Sequence, residues 1–197
     1  EAAKLYIICE YNNINDIMVY DLFNDGEDEY YSEHNFGQIN YDGTPKPQYL
    51  AIANFNNQTS GSQMIGEIDT GLETGTRVFM YWKEGKPIVV AWSCTASGNE
   101  VKWNLPGESV TVYDNYGNEI STDANKVTLG RECVYIHGLS EKWVRQAVHD
   151  DVVKLNAEWI EDWSEGVSSS TLSTVKSAFV NAEKKFANDI SNDEVMS

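Results

Sequence analysis

Long apolar runs are missing from this chain. No stretch approaches the ~20 consecutive apolar residues that a membrane-spanning helix needs, so the sequence offers no insertion segment of that kind. Cations are scarce as well. Against 31 Asp and Glu stand 14 Lys and Arg, a net charge of −17. Such a field repels phosphate backbones and excludes nucleic acid and anionic membrane surfaces as natural partners. The imbalance is uneven: residues 1–70 hold 12 acids and 2 bases, residues 71–140 hold 8 and 6, and residues 141–197 hold 11 and 6. Cysteine is limited to Cys9, Cys94 and Cys133. No pair has C-x-x-C spacing, which leaves no zinc or thioredoxin-like motif, and the odd count argues against a fold built on disulfides. The three read as small buried hydrophobes. Cys94 and Cys133 fall in one β-rich region, so a disulfide between them is the alternative. His34, His137 and His149 share no motif with Ser or Cys, and a nucleophile–base triad is unsupported. No secretory leader is visible. The chain opens directly on a helical pattern, as expected of a piece cut from something longer.

Hydrophobic residues make up 41% of the chain, enough for a real core and too many for a disordered polymer. Three segments follow one another. In the first, residues 1–61, Leu5, Ile8, Cys9 and Asn12 keep helical spacing over residues 1–12. The run Ile17, Met18, Val19, Tyr20 then reads as a short strand buried on both faces, as in a parallel sheet. A long acidic and aromatic loop follows, with an Asp42–Gly43 turn signal. Pro47 suits the first turn of a second helix, whose apolar face is Tyr49, Ile52, Ala53 and Phe55. Helix, buried strand, long loop, helix is the rhythm of a (β/α) barrel.

In the second segment, residues 62–139, a hairpin joins 77–82 to 87–92 through Glu84–Gly85. Short strands at 101–103, 109–113, 119–120, 126–129 and 133–136 come at intervals of about ten residues, the pattern of an antiparallel β-sandwich. Residues 60–73 read as a linker or an edge strand. In the third, residues 140–197, Trp143, Ala147, Val148, Val152, Leu155, Trp159 and Trp163 line one face of a long helix that Gly166 ends. Ser168 to Ser170 offer caps for a second helix carrying Leu172, Val175, Phe179, Ala182, Phe186 and Ile190. A third helix would begin at 192–195. The expected class is a multi-domain α+β fragment: the terminal β/α unit of a TIM barrel, an antiparallel β-sandwich and a C-terminal helical hairpin.

Residues 20–49 carry a resemblance. The run Tyr20-Asp21-Leu22-Phe23-Asn24-Asp25-Gly26, then Glu33-His34-Asn35-Phe36-Gly37, then Asp42-Gly43-Thr44-Pro45-Lys46-Pro47-Gln48-Tyr49 resembles the end of a (β/α)8 glycoside hydrolase of the β-xylosidase, iduronidase and endoglucanase type. The resemblance makes residues 1–12 the seventh helix, the run from Ile17 to Tyr20 the eighth strand and the helix that Pro47 opens the eighth helix. Val110 to Asp114, Tyr116 to Glu119 and Val134 to Gly138 resemble the β-sandwich that often follows such barrels. Residues 171–195 are more weakly similar to a small three-helix module of large secreted bacterial proteins. The resemblance implies an extracellular protein that hydrolyses polysaccharides or glycosides by a retaining mechanism. In this clan the two catalytic glutamates end the fourth and seventh strands, and both positions would precede Glu1. No catalytic residue is therefore assigned within the chain, which by itself should be inactive.

The resemblance places Tyr20, Asp21, Asn24, Asp25, Glu33 and His34 on the top face of the barrel, where sugar would bind. Barrel packing competes as the reading of Tyr20, and loop anchoring as that of Glu33 and His34. Asn24, Asp25, Glu27, Asp28, Glu29 and Glu33 offer oxygen ligands of the kind Ca²⁺ takes, but they match no EF-hand spacing and read as a solvated acidic loop. No motif asks for a metal or a cofactor. The six tryptophans, at 82, 92, 103, 143, 159 and 163, read as core and as glue between helix and sandwich. The expected partners are carbohydrate and the rest of the barrel, supplied by another chain. The rival reading is a non-catalytic carbohydrate-binding or adhesin module with exposed aromatics such as Trp103 and Tyr113, or a structural spacer.

Overall fold

Two apolar runs, residues 78–82 and 87–92, are too continuous for strands with one wet face, and they need cover on both sides. The computed structural model provides it. It describes residues 1–96, 98–122, 125–162 and 168–188. The helices are α1 (Ala2–Tyr11), α2 (Pro47–Thr59), α3 (Lys142–Asp162) and α4 (Ser169–Asn188). The strands are β1 (Gln63–Glu67), β2 (Thr76–Lys83), β3 (Lys86–Ser93), β4 (Val101–Asn104), β5 (Thr111–Tyr113), β6 (Glu119–Ile120), β7 (Lys126–Leu129) and β8 (Val134–His137). Six of them form one antiparallel sheet in the order β1-β2-β3-β8-β5-β6, and β4 and β7 form a separate two-stranded ribbon.

Alternation along β2 and β3 divides their side chains between two cores. Val78, Met80, Val89 and Ala91 face Trp103, Leu105, Val127 and Leu129 of the ribbon, with Val144 and Ala147 of α3 closing the same core. Phe79, Tyr81, Ile88, Val90 and Trp92 face Ala3 and Ile7 of α1 and Phe55 of α2. The result is three layers: ribbon and α3, sheet, then α1 and α2. Helices and antiparallel sheets are mixed, as expected of an α+β chain, and the larger sheet also bears the two N-terminal helices.

The β2–β3 turn is the two residues Glu84 and Gly85, both at positive φ (49° and 79°). That backbone matches the right-handed twist of a hairpin and strains only the non-glycine member. Residues 60–73 supply β1, an edge strand in antiparallel register with β2. Along it lies α3. A Cβ added to Gly66 would sit 3.0 Å from the Asp151 Cβ and 3.2 Å from the Ala147 carbonyl oxygen, so only glycine lets the helix approach this closely. A polar junction ties four elements together there. Tyr11 donates to Asp151 at 2.7 Å, Lys154 donates to Tyr11 at 3.1 Å and to Glu67 at 3.4 Å, and Arg77 forks onto Glu67.

At its other end α3 is held by one carboxylate. Glu108, 6% exposed, accepts from the Ser140 N–H (2.8 Å), the Ser140 hydroxyl (2.9 Å) and the Trp143 indole N–H (3.0 Å). Lys142 pairs with it at 2.6 Å. Trp143 in turn sets its ring edge-on to Trp103, centroids 5.2 Å apart. At the C-terminal end, the Thr171 N–H donates to the Ser168 hydroxyl at 3.3 Å, the cap expected for α4, and α3 packs against α4. Trp163, Gly166, Ile190 and the third helix expected at 192–195 lie outside the described residues, as do the side chains of Leu155, Trp159, Phe179, Ala182 and Phe186.

All three cysteines are free, Cys9 and Cys133 buried and Cys94 exposed. The Cys94–Cys133 disulfide is not formed, and Cys94 departs from the buried-hydrophobe expectation. Burial pushes the Cys133 thiol up to about 12. Among the described residues one buried side-chain polar atom lacks a hydrogen bond, the Tyr135 hydroxyl.

Burial alone would raise the Glu108 carboxyl, but Lys142, Ser140 and Trp143 outweigh it and bring the group from 4.5 to about 2. A carboxyl depressed on folding contributes stability that is fully present above its unfolded value and lost as pH falls through its folded value. Urea denaturation of Glu108→Ala should therefore show a loss of about 2–3 kcal/mol at neutral pH. The parent chain should lose that same increment between pH 4.5 and about 2, and the variant should not.

Candidate functional site

Between α1 and α2 the chain makes a long excursion, residues 12–46. The expected strand at Ile17 to Tyr20 is not formed. A buried parallel strand needs a ladder on each edge, and none of the described strands runs beside this segment. The run is left without strand structure, and Met18 is 100% and Tyr20 69% exposed.

From Asp21 onward the loop folds on itself. The Gln38 N–H donates to the Asp21 carbonyl at 3.0 Å, that of Ile39 to Leu22 at 2.8 Å and that of Asn24 to Ile39 at 2.8 Å. The Asp42–Gly43 turn forms, with Gly43 at φ 85° and the Asp42 carboxylate accepting from the Thr44 N–H (2.9 Å) and hydroxyl (2.6 Å). These bonds hold the Asp42 carboxyl below its usual range. Gly37 is where the loop crosses itself. A Cβ there would fall 2.2 Å from the Asn24 nitrogen.

The six candidate residues separate into four places. Tyr20 donates to Asp25 at 2.7 Å, so these two come together, and the bond raises the Tyr20 phenol. Asp21 turns back to its neighbour and accepts from the Leu22 N–H. Glu33 and His34 lie in a single 3-10 turn, Ser32–Asn35. Glu33 accepts from the Tyr31 hydroxyl at 2.9 Å. The His34 Nδ1 accepts from the Asp28 N–H at 3.3 Å, and its ring meets Tyr31 edge-on at 4.9 Å. Asn24 points inward instead. It is 8% exposed and accepts from Lys46 Nζ at 2.7 Å. Among the described residues no three His, Cys, Asp or Glu side chains gather where they could hold a metal, and no helix is long and apolar enough to cross a membrane.

No protein-family model and no curated protein matches the chain. Solved structures do match. A family 39 glycoside hydrolase from the gut symbiont Bacteroides cellulosilyticus WH2 is similar with a TM-score of 0.56 and 22% identity, over 70% of this chain and 29% of that one. The chain has a glycoside-hydrolase-like fold. A GH30 endoxylanase from Clostridium papyrosolvens C71 (TM-score 0.40, 18% identity, 53% of this chain and 31% of that one) and an Anoxybacillus alpha-amylase (0.36, 15%, 58% and 26%) are similar at a lower level. The chain spans less than a third of the length of each of these structures.

Sequence reasoning missed Lys46, the hub of this loop. Besides Asn24, its ammonium donates to the Asn35 carbonyl at 2.8 Å, so it fastens the Tyr20–Asp25 limb to the Ser32–Asn35 turn. The signal was available, because Lys46 is the sole cation between Lys4 and Arg77. The exposed tyrosines were also passed over: Tyr30 is 90% and Tyr41 57% exposed. Lys46→Met should leave the far-UV circular dichroism unchanged and cost about 1–3 kcal/mol locally, since Asn24 stays buried without its donor. Hydrogen exchange at the Asn24 and Ile39 amides should accelerate about tenfold or more.

Proposed function

We propose that this chain is the C-terminal part of a secreted glycoside hydrolase acting on polysaccharides or glycosides. On this reading the retaining pair of glutamates lies upstream, and the loop from Tyr20 to His34 forms part of the sugar-binding rim. The observation that carries it is the fold shared with a family 39 glycoside hydrolase over 70% of this chain. A second observation agrees. Leu5, Ile14, Met18, Val19, Leu22 and Phe23 are all exposed on or beside the loop, a density of apolar surface that marks a contact site. Residues 1–61 then represent the last β/α unit of a barrel, and the missing ladder partners of residues 17–20 belong to its other strands. Residues 62–139 are its β-sandwich and residues 140–197 a helical module.

The rival reading, a non-catalytic carbohydrate-binding module, gains little from the tryptophans. Trp92 and Trp103 are each 4% exposed, and Tyr113 is half-buried with its ring edge against His137. The tyrosines exposed for a sugar platform are those of the 20–41 loop together with Tyr49 and Tyr116.

The isolated chain should show no turnover of aryl glycosides, and the protein including the upstream region should. In that longer protein Tyr20→Phe and Glu33→Gln should each lower kcat/KM about 5–30-fold, the cost of one or two hydrogen bonds to sugar hydroxyls. Turnover by the isolated chain, abolished by Asp21→Asn or Glu33→Gln, would overturn the assignment of catalysis to residues upstream.

A further inference from the structure

The two faces of the large sheet have separate cores, but they are bonded to each other around its β1 edge. On one face α1 ends at Tyr11, and its last two residues are both fastened. Glu10 accepts from the Tyr81 hydroxyl at 3.0 Å. Tyr11 donates to Asp151 of α3 at 2.7 Å. The Tyr11 ring is held as well, edge-on to Phe79 at 5.3 Å and under the Lys154 ammonium at 4.7 Å. Burial and the bond to Asp151 push the Tyr11 phenol above its ordinary range, so it stays a donor.

The chain leaves α1 directly after this contact, and it leaves by a defined turn. Asn13 has a φ of 57°. The Asn13 N–H donates to the Glu10 carbonyl at 3.0 Å and the Ile14 N–H to the Cys9 carbonyl at 2.8 Å. This is the left-handed helix end, in which two N–H groups beyond the helix bond back into its last turn. The last turn of α1 therefore aims the excursion that follows, and that turn is tied to α3.

The seat of α3 is fixed on both sides of Asp151. Upstream, Glu108 binds Ser140, Lys142 and Trp143, and Val144 and Ala147 are fully buried. Beside Asp151, Asp150 accepts from the Asp69 N–H at 2.9 Å, and Gly66 lets the helix close on β1. The Asp151 carboxylate is thus a fixed point to which the end of α1 is attached.

We propose that α3 is a strap. Its docking on the ribbon side of the sheet fixes the end of α1 on the opposite side, through Asp151 and Tyr11, and so sets where the excursion bearing Tyr20 to His34 begins. Asp151 is a positioning residue for that excursion, and a shift in how the C-terminal helices sit is transmitted to its foot. The inference stands on contacts within this chain and holds whether or not the loop binds sugar.

Amide hydrogen exchange of the whole chain tests it, read at Ile14. Asp151→Ala should speed this amide about fivefold to tenfold, the loss of one charge-assisted bond. Asp151→Asn keeps an acceptor and should restore most of the protection. Glu108→Ala loosens α3 at the end remote from Tyr11 and should also speed Ile14. It should no longer do so once Tyr11→Phe has cut the link. Lys142→Met loosens the same end more gently and replaces Glu108→Ala should that variant not fold. An uncoupled helix end would exchange by local fraying, which does not respond to the far end of another helix. An Ile14 amide left unmoved by either Asp151→Ala or the Glu108 substitution therefore overturns the strap. Equal acceleration by Glu108→Ala with and without Tyr11→Phe overturns the route through Asp151.

Discussion

Burial of the β2–β3 hairpin from both sides is the constraint on which the other elements depend. One strand pair carries Phe79, Tyr81, Ile88, Val90 and Trp92 on one face and Val78, Met80, Val89 and Ala91 on the other. Neither face can be left wet: at about 25 cal/mol per Å², each large side chain is worth roughly 1.5–3 kcal/mol on burial. The ribbon and α3 take one face and α1 and α2 the other, and at the edge of the sheet α1 also meets α3 directly through Tyr11, Asp151 and Lys154. The same demand explains the polar bonds at the periphery. Tyr81 reaches Glu10 at 3.0 Å, His137 meets Gln58 at 2.8 Å, and Asn54 reaches the Asp114 carbonyl at 3.3 Å. Each fastens α1 or α2 to the sheet beside an apolar contact. Among the described residues Tyr135 keeps a buried hydroxyl without a hydrogen bond.

Much of the sheet was legible because strand signals are local. The Glu84–Gly85 turn, the Asn115–Gly117 turn and the ten-residue rhythm depend on nearest neighbours, and the strands lie where those signals put them. The cover on the second face was legible in part: residues 87–92 show an unbroken apolar run, which asks for two cores. What covers it is a matter of long-range pairing, and no local pattern names α1 and α2. Residues 17–20 present the reverse case. Ile17, Met18, Val19 and Tyr20 carry the same unbroken signal, yet they stand exposed. An apolar run states a need for neighbours and does not supply them. β3 has β2 and β8 beside it, and the 17–20 run has none.

The loop residues divide along a similar line. Tyr20 and Asp25 are exposed and joined by a bond that leaves them accessible, which residue type and position could suggest. Asn24 has the same residue-type credentials but is turned inward by Lys46. The lysine was readable only as an isolated cation in an acidic stretch, and its role becomes visible once Asn24 and Asn35 are seen to converge on it. Charge of one sign spread along a loop thus gave composition, while the single opposite charge determined conformation.

Charge is sorted more finely on the molecule than its total implies. The acids from Asp21 to Glu33 line an exposed loop, and Lys46 at the start of α2 is the cation that fastens it. A protein this acidic gains solubility from its loop, but any anion approaching it meets repulsion over most directions.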